Sequence, residues 1–341
     1  MEPISSALID FAEAAYSLEC NDDDWLPALL AAGTPVLDYG LGVFALTCTR
    51  PPQSGPLVVD RVHAISGLED LAERVRRAER ETPPDVLWAL SRPTIPKTLS
   101  EAAGDQLEAF RFVMRQFDFA RDGLGMSSFD PNGHGVYLIA PLPKVTTLSE
   151  KVRDQFQMLA AHLGAGYRLR RALTDSGLKP ETDLPRGAEA LIDPNGFRIV
   201  GAEGPAKSKD ARAALRDAAL RVDQARGRMR EKDPGKALEL WTALVRGRWS
   251  TVDWFDSDGR RFVLGLPNAP TVIDPRGLTD REHQVVAYAI TGQTNKLIAY
   301  QLGLSKGRVS TLMRSAMRKL GVQTRAQLIK KLRDFKIFTD A

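Results

Sequence analysis

The sequence predicts a multidomain chain, with α+β modules in front and an all-α helical unit at the end. Three observations predict it. Asp-x-x-Gly turns recur between apolar, strand-like stretches at 130–133, 193–196 and 256–259. Helical stretches lie between those hairpins, whereas after Leu278 only capped, amphipathic helix signals occur. Charge divides at the same place. Residues 276–341 carry 13 Lys and Arg against 4 Asp and Glu, a net +9, and the rest carries 34 against 39, a net −5. A basic segment behind an acidic body points to a polyanionic partner.

Residues 1–33 read as two helices. Ile4, Leu8, Phe11, Ala15 and Leu18 fall on one helical face. The run Asn21-Asp22-Asp23-Asp24 then caps a short apolar helix, which Gly33 is expected to stop. Stretches 35–50 and 55–65 are apolar-rich and alternating, so they read as strands joined across the turn PPQSGP. Helices are expected over 68–80 and 99–115. The stretch 123–142 reads as strand, turn, strand. In Asp130-Pro131-Asn132-Gly133, Asp can bond the backbone, Pro presets φ and Gly closes the turn. A long helix follows, with Val152, Phe156, Leu159, Leu163 and Leu169 on its core face.

The second module repeats this chemistry. The turn at 193–196 joins strands 188–192 and 197–204, and the turn at 256–259 joins 248–255 to 260–266. Between them lie a helical stretch, 209–230, and a second helix with Asp233 as N-cap and Pro234 at its first position. The expected domains are 1–178, 184–268, a proline-rich linker 269–277, and the terminal unit 278–341.

Length and composition narrow the function classes. The chain has 341 residues, 43% hydrophobic and 26% charged, which suits a globular protein of two or three domains. It has no run of 18 apolar residues, so no membrane helix is expected. The first residues lack the basic segment of a secretory leader. Two cysteines, Cys20 and Cys48, suggest reduced thiols in a cytoplasmic protein. His63, His134, His162 and His283 show no metal-ligand spacing, so no metal site is expected. No cofactor is evident.

Several suggestive patterns have plainer explanations. The acidic run at 21–24 follows an amphipathic helix, not the buried strand that a phosphoacceptor cluster needs, so it reads as a cap. The Gly-Leu-Gly triplets at 40–42 and 123–125 belong to neither phosphate-loop pattern and read as turn or bulge glycines. Residues 233–236 lack the upstream glycine of a phosphate loop. A lone His63 beside a strand reads as structural, and Cys48 in an apolar strand reads as a small buried hydrophobe.

The terminal unit carries the sharpest signals. Thr279 and Glu282 have capping-box spacing, Thr294 and Ser305 cap the next two helices, and Thr324 with Gln327 repeats the box. A short helix, a turn at Gly303 and a further helix make a helix-turn-helix. At 100° per residue, Val309, Met313, Ala316 and Leu320 fall on one side of the third helix. Thr311, Arg314, Ser315 and Arg318 fall opposite, flanked by Arg308 and Ser310, with no acid among them. Arg can reach guanine O6 and N7 in a major groove, and Ser or Thr can bond bases or phosphate. Lys296 and the start of the second helix are placed to meet phosphates.

These residues resemble the C-terminal DNA-binding domain of the LuxR family of bacterial transcription regulators. The marks are LTxRE at 278–282, TGxTNKxIA at 291–299, LGLS at 302–305 and KLGVxTRAxL at 319–328, in order and at family spacing. The resemblance covers about the last 60 residues. It implies a four-helix unit that binds double-stranded DNA and dimerises through its last helix, with Ser310, Thr311 and Arg314 at the base-contacting positions. The expected interface is Thr294, Asn295, Lys296, Lys306, Arg308, Ser310, Thr311, Arg314 and Arg318. Departures occur where the family often has Glu (Leu297, Lys306), Thr (Arg308), Lys or Arg (Ser310) and His (Leu312), so the target sequence is expected to be atypical.

The strands and closing helix of residues 34–175 resemble a GAF-type sensor, and residues 186–268 are faintly similar to a PAS module. The expected protein is a non-enzymatic transcription regulator controlled by a small-molecule effector or a partner. Two competing classes are an RNA-polymerase-associated, sigma-like factor and a small-molecule enzyme with a regulatory tail. No nucleophile–base pair supports the enzyme. Closure of the third helix by the acidic body is a further expectation on charge grounds.

Overall fold

The computed structural model describes residues 5–49, 58–66, 70–83, 96–103, 107–130, 133–175, 182–270 and 278–334. Helix α1 (Ala7–Ala15) packs on α2 (Asp22–Leu37). The Asn21 side chain caps α2 by accepting from Asp23 N and Asp24 N at 2.9 and 2.8 Å, with three aspartates in the favourable first turn. Gly33 does not stop α2, which continues to Leu37. A Cβ there would sit 2.8 Å from the Phe11 ring, so this glycine serves the close packing of α1 on α2.

The first sheet contains β1 (Val43–Thr49), β2 (Val58–Ile65), β3 (Lys97–Thr98), β4 (Asp122–Phe129) and β5 (His134–Leu142), in the antiparallel order β2-β1-β5-β4-β3. Strand alternation gives it two apolar faces. Val43 and Ala45 join a core with α1, α2 and the long helix α6 (Glu150–Asp175). Phe44, Leu46 and Cys48 join another under α3 (Leu71–Glu81), α4 (Leu99–Ala103) and α5 (Leu107–Gln116). The helix expected over 99–115 covers α4 and α5, and residues 104–106 between them lie outside the described residues. Asp130 N donates to His134 O at 2.9 Å and Gly133 turns the chain at φ 85. Pro131, Asn132 and the turn PPQSGP lie outside the described residues.

The second sheet contains β6 (Ala190–Asp193), β7 (Arg198–Ala202), β8 (Trp249–Phe255) and β9 (Arg261–Pro267), in the order β7-β6-β9-β8. Its turns use the aspartates as the sequence suggests: Asp193 accepts from Asn195 N at 2.9 Å, and Asp256 from Arg260 N at 2.8 Å. Helix α7 (Lys209–Arg226) covers one face with Leu215, Ala218 and Ala219. Short helices α8 (Met229–Lys232) and α9 (Pro234–Leu240) follow, and Asp233 caps α9 through Lys236 N at 3.1 Å. The other face of this sheet shares one core with the first module, where Val252, Leu264 and Leu266 meet Phe156, Leu159 and Trp241.

Among the described residues no helix is long and apolar enough to cross a membrane, and no three His, Cys, Asp or Glu side chains are grouped as for a metal ion.

Candidate nucleic-acid interface

The terminal unit is α10 (Asp280–Ile290), α11 (Asn295–Leu302), α12 (Lys306–Lys319) and α13 (Arg325–Asp334). Local sequence explains each start. Thr279 and Glu282 form a reciprocal box, with Thr279 N donating to Glu282 Oε2 at 2.8 Å. Thr294 Oγ1 accepts from Leu297 N and Ser305 Oγ from Arg308 N, at 3.3 and 3.1 Å. Thr324 and Gln327 bond each other's backbone at 3.1 and 3.2 Å. Gly303 makes the turn between α11 and α12 at φ 60. Two causes require glycine there: the left-handed backbone, and Leu244 O, which would lie 1.7 Å from a Cβ.

The inner face of α12 is Val309, Leu312, Met313, Ala316 and Leu320, buried against Val285, Ile298 and Leu302. Its end is pinned by Lys319 Nζ, 2.7 Å from Glu282 Oε2. Burial would raise the Glu282 carboxyl, but Lys319, Thr279 and Ser315 outweigh it and hold the group down to about 2. Lys319 therefore fastens α12 to α10.

The outer face of α12 faces solvent. Lys306, Arg308, Thr311, Arg314 and Arg318 are exposed and Ser310 is half-buried. Among the described residues Arg308, Arg314 and Arg318 make no ion pair. Ser310 Oγ donates to Lys306 O at 3.0 Å and Thr311 Oγ1 to Gly307 O at 3.1 Å. Their protons are thus committed to the helix, and what remains for a partner is acceptor lone pairs. Such hydroxyls suit the amino groups of adenine or cytosine in a major groove. The expected covering of this helix by the body does not occur.

The start of α11 departs further from expectation. Asn295 Nδ2 donates to Ser310 Oγ at 3.3 Å, and its Oδ1 accepts from Arg325 Nη1 at 3.2 Å. It is a strut joining α11, α12 and α13. Lys296 is held in an ion pair with Asp154 on α6. Thr294 is exposed, its side chain engaged in the cap. In the last helix Leu328 and Leu332 are buried in the unit's own core.

Sequence reasoning missed the seam between this unit and the body. Gln284 Nε2 meets Gly247 O at 3.5 Å, and Arg168 on α6 donates to the Tyr288 hydroxyl at 3.1 Å. The available signal was Leu297, an apolar residue at a position where the family often has Glu. It is 5% exposed, and the core it enters is that of the body.

An apolar cavity of about 100 Å³ separates the Phe44–Leu46 face of the first sheet from α3, α4 and α5. Val75, Leu99, Val113 and Phe117 line it. Among the polar residues that border it are Thr82, whose buried hydroxyl has no hydrogen-bond partner among the described residues, and Glu79, whose carboxyl burial raises against the opposing pull of Val59 N–H and Arg80.

The exposed, acid-free third helix on a capped four-helix frame defines a helix-turn-helix DNA-binding domain. Residues 276–332 match the family model of bacterial regulatory proteins, luxR family, and the C-terminal unit is a domain of that family. No curated protein matches the chain. Two solved structures are distantly similar. SdiA in complex with octanoyl-rac-glycerol has 10% identity and a TM-score of 0.28, covering 84% of this chain and 78% of its own. A crystal structure of SdiA from Escherichia coli has 11% identity and a TM-score of 0.25, covering 87% and 85%. Likeness at that level shows neither a shared ligand nor a shared assembly.

Proposed function

We propose that the protein is a sequence-specific transcription regulator that inserts α12 into the major groove of double-stranded DNA. The observation that carries this reading is the outer face of α12: exposed, rich in arginine, free of acids, and set in a luxR-family domain. Arg314 is the base-reading cation, with Ser310 and Thr311 as acceptors, while Lys306, Arg308 and Arg318 hold phosphates. Two copies bind together, with half-sites about one helical turn apart. Selection of bound duplexes from random DNA tests it. A common motif, repeated at that spacing, is expected, and recovery of unselected sequence refutes it.

The apolar cavity favours control by a small molecule. Its walls suit a compact apolar effector, and Thr82 and Glu79 offer that effector's polar end hydrogen-bond partners. In this reading the front modules are sensors, GAF-like over 1–178 and PAS-like over 184–268. Native mass spectrometry of the protein from its own cells tests it, since a bound species is expected on the wild type and not on Val113→Trp.

A further inference from the structure

The DNA-binding unit and the body exchange leucines. Leu297 of α11 is buried as part of the body's core, on the side where α11 packs on α6. In return Leu244, from the loop before β8, is fully buried in the core of the DNA-binding unit, among Val285, Ile298 and Val309.

A chain of hydrogen bonds runs beside the two leucines. His162, at the middle of α6, is fully buried. Its Nδ1 lies 3.1 Å from Tyr16 Oη and its Nε2 lies 2.9 Å from Tyr300 Oη of α11. Tyr300 Oη also lies 2.7 Å from Leu238 O and 2.8 Å from Trp241 O. Tyr16 Oη also lies 3.3 Å from Ala243 O, so either neutral tautomer of His162 satisfies the chain. With Nε2–H, Tyr16 donates to Nδ1 and Tyr300 to a backbone carbonyl; with Nδ1–H, Tyr16 donates to Ala243 O and Tyr300 to Nε2. Burial keeps the imidazole neutral by pushing it down to about 3, which both arrangements require. Arg168 on Tyr288 and Asp154 on Lys296 complete the contact.

This contact occupies one side of α11 from its first turn to its last: Lys296, Leu297, Tyr300 and Gln301. It leaves α12 open. The first turn of α11 is also where a duplex seated on α12 brings its phosphates. There they would meet the Asp154 carboxylate, and the Lys296 ammonium would already be paired. The seam is not packed to completion. A cavity of about 10 Å³ lies in it, bordered by Ser128, Arg168, Tyr288 and Gln301, and the buried Gln301 Oε1 has no hydrogen-bond partner among the described residues. A contact that buries an unsatisfied carbonyl and holds a phosphate-binding cation is poorly suited to permanence.

We infer that the docking of α11 on α6 is a latch, and that DNA binding and docking compete for α11. This rests on the reading of α12 as a DNA-binding helix. In the latched state α12 is presented, but the phosphate anchor at the start of α11, Lys296, is withheld. Release frees Lys296 and removes Asp154 from the path of the phosphates.

The test uses the full-length chain with Tyr300→Phe, which removes one hydroxyl, changes no charge and lies off the outer face of α12. Backbone hydrogen exchange of α11 is measured without DNA, and affinity is measured on a duplex recovered by selection. The latch predicts faster exchange in α11 and affinity about five- to tenfold tighter, the worth of one buried hydrogen bond. Asp154→Asn, at the exposed ion pair, should shift affinity the same way by a smaller factor and leaves the core intact. Faster exchange with unchanged or weaker affinity would overturn the latch and make the seam merely structural. So would unchanged exchange and affinity in both variants. If neither wild type nor variants bind any duplex while exchange responds to Tyr300→Phe, the DNA-binding reading itself is what fails.

Discussion

Truncating Leu244 to Ala perturbs the DNA-binding unit from outside its own sequence. Leu244 is fully buried, and the core it fills belongs to helices that begin more than thirty residues later. Removing its isopropyl group forfeits the transfer free energy and leaves a cavity, about 2–5 kcal/mol for a buried leucine. The cost should lie in the upper half of that range. The Leu244 carbonyl rests against Gly303, and the Gly303 backbone is fixed by the turn, so the site has little freedom to collapse. Urea melting of the full chain, with hydrogen exchange read segment by segment, measures it. Protection should fall in α10–α13 by more than in β1 or β5, which do not touch this residue's cluster. Loss confined to residues 182–270, with 278–334 unchanged, would refute the reasoning.

Other expectations follow from the same contacts. Glu282 has a folded-state carboxyl near 2 against an ordinary 4.5, so its contribution is present above about pH 4.5 and is lost as pH falls toward 2. Glu282→Gln should flatten the pH dependence of unfolding across that window, as circular dichroism melts would show. Gly303→Ala should cost about 1–2 kcal/mol for the left-handed backbone alone, with more because Leu244 O must move; its melting midpoint should fall further than that of Gly307→Ala, where a Cβ meets nothing within 4 Å. If α12 and the start of α11 hold phosphates, the logarithm of affinity should fall with that of salt by about 0.9 per phosphate neutralised. Lys306→Ala should reduce that slope by about 1 without altering sequence preference, and a salt-independent complex would count against the interface.

What the sequence made legible was local. The Asp-x-x-Gly hairpins, the Asp233 cap and the Thr279–Glu282 box depend on residues within four positions of each other, and each forms as the spacing predicts. The two faces of α12 follow from helical period and hold for the same reason. What was not legible depends on partners far along the chain. Gly33 looks like a helix stop until Phe11 is seen against it. Charge asymmetry suggested that the body covers α12. Instead α11 docks on α6 through Leu297, the His162–Tyr300 bond and the Asp154–Lys296 ion pair, and no periodicity announces contacts between residues more than a hundred positions apart. Leu297 was the one visible hint, and its meaning needed the body's core to be in view.

Whether the outer face of α12 reads DNA sequence is decided by one side chain above the others. Binding titrations compare Arg314→Ala with wild type, on the selected duplex and on duplexes altered at each position. A base-reading Arg314 predicts a loss of about 1–3 kcal/mol on the selected site, with discrimination relaxed at one base pair and kept at the others. Unchanged affinity and unchanged preference at every position would contradict it.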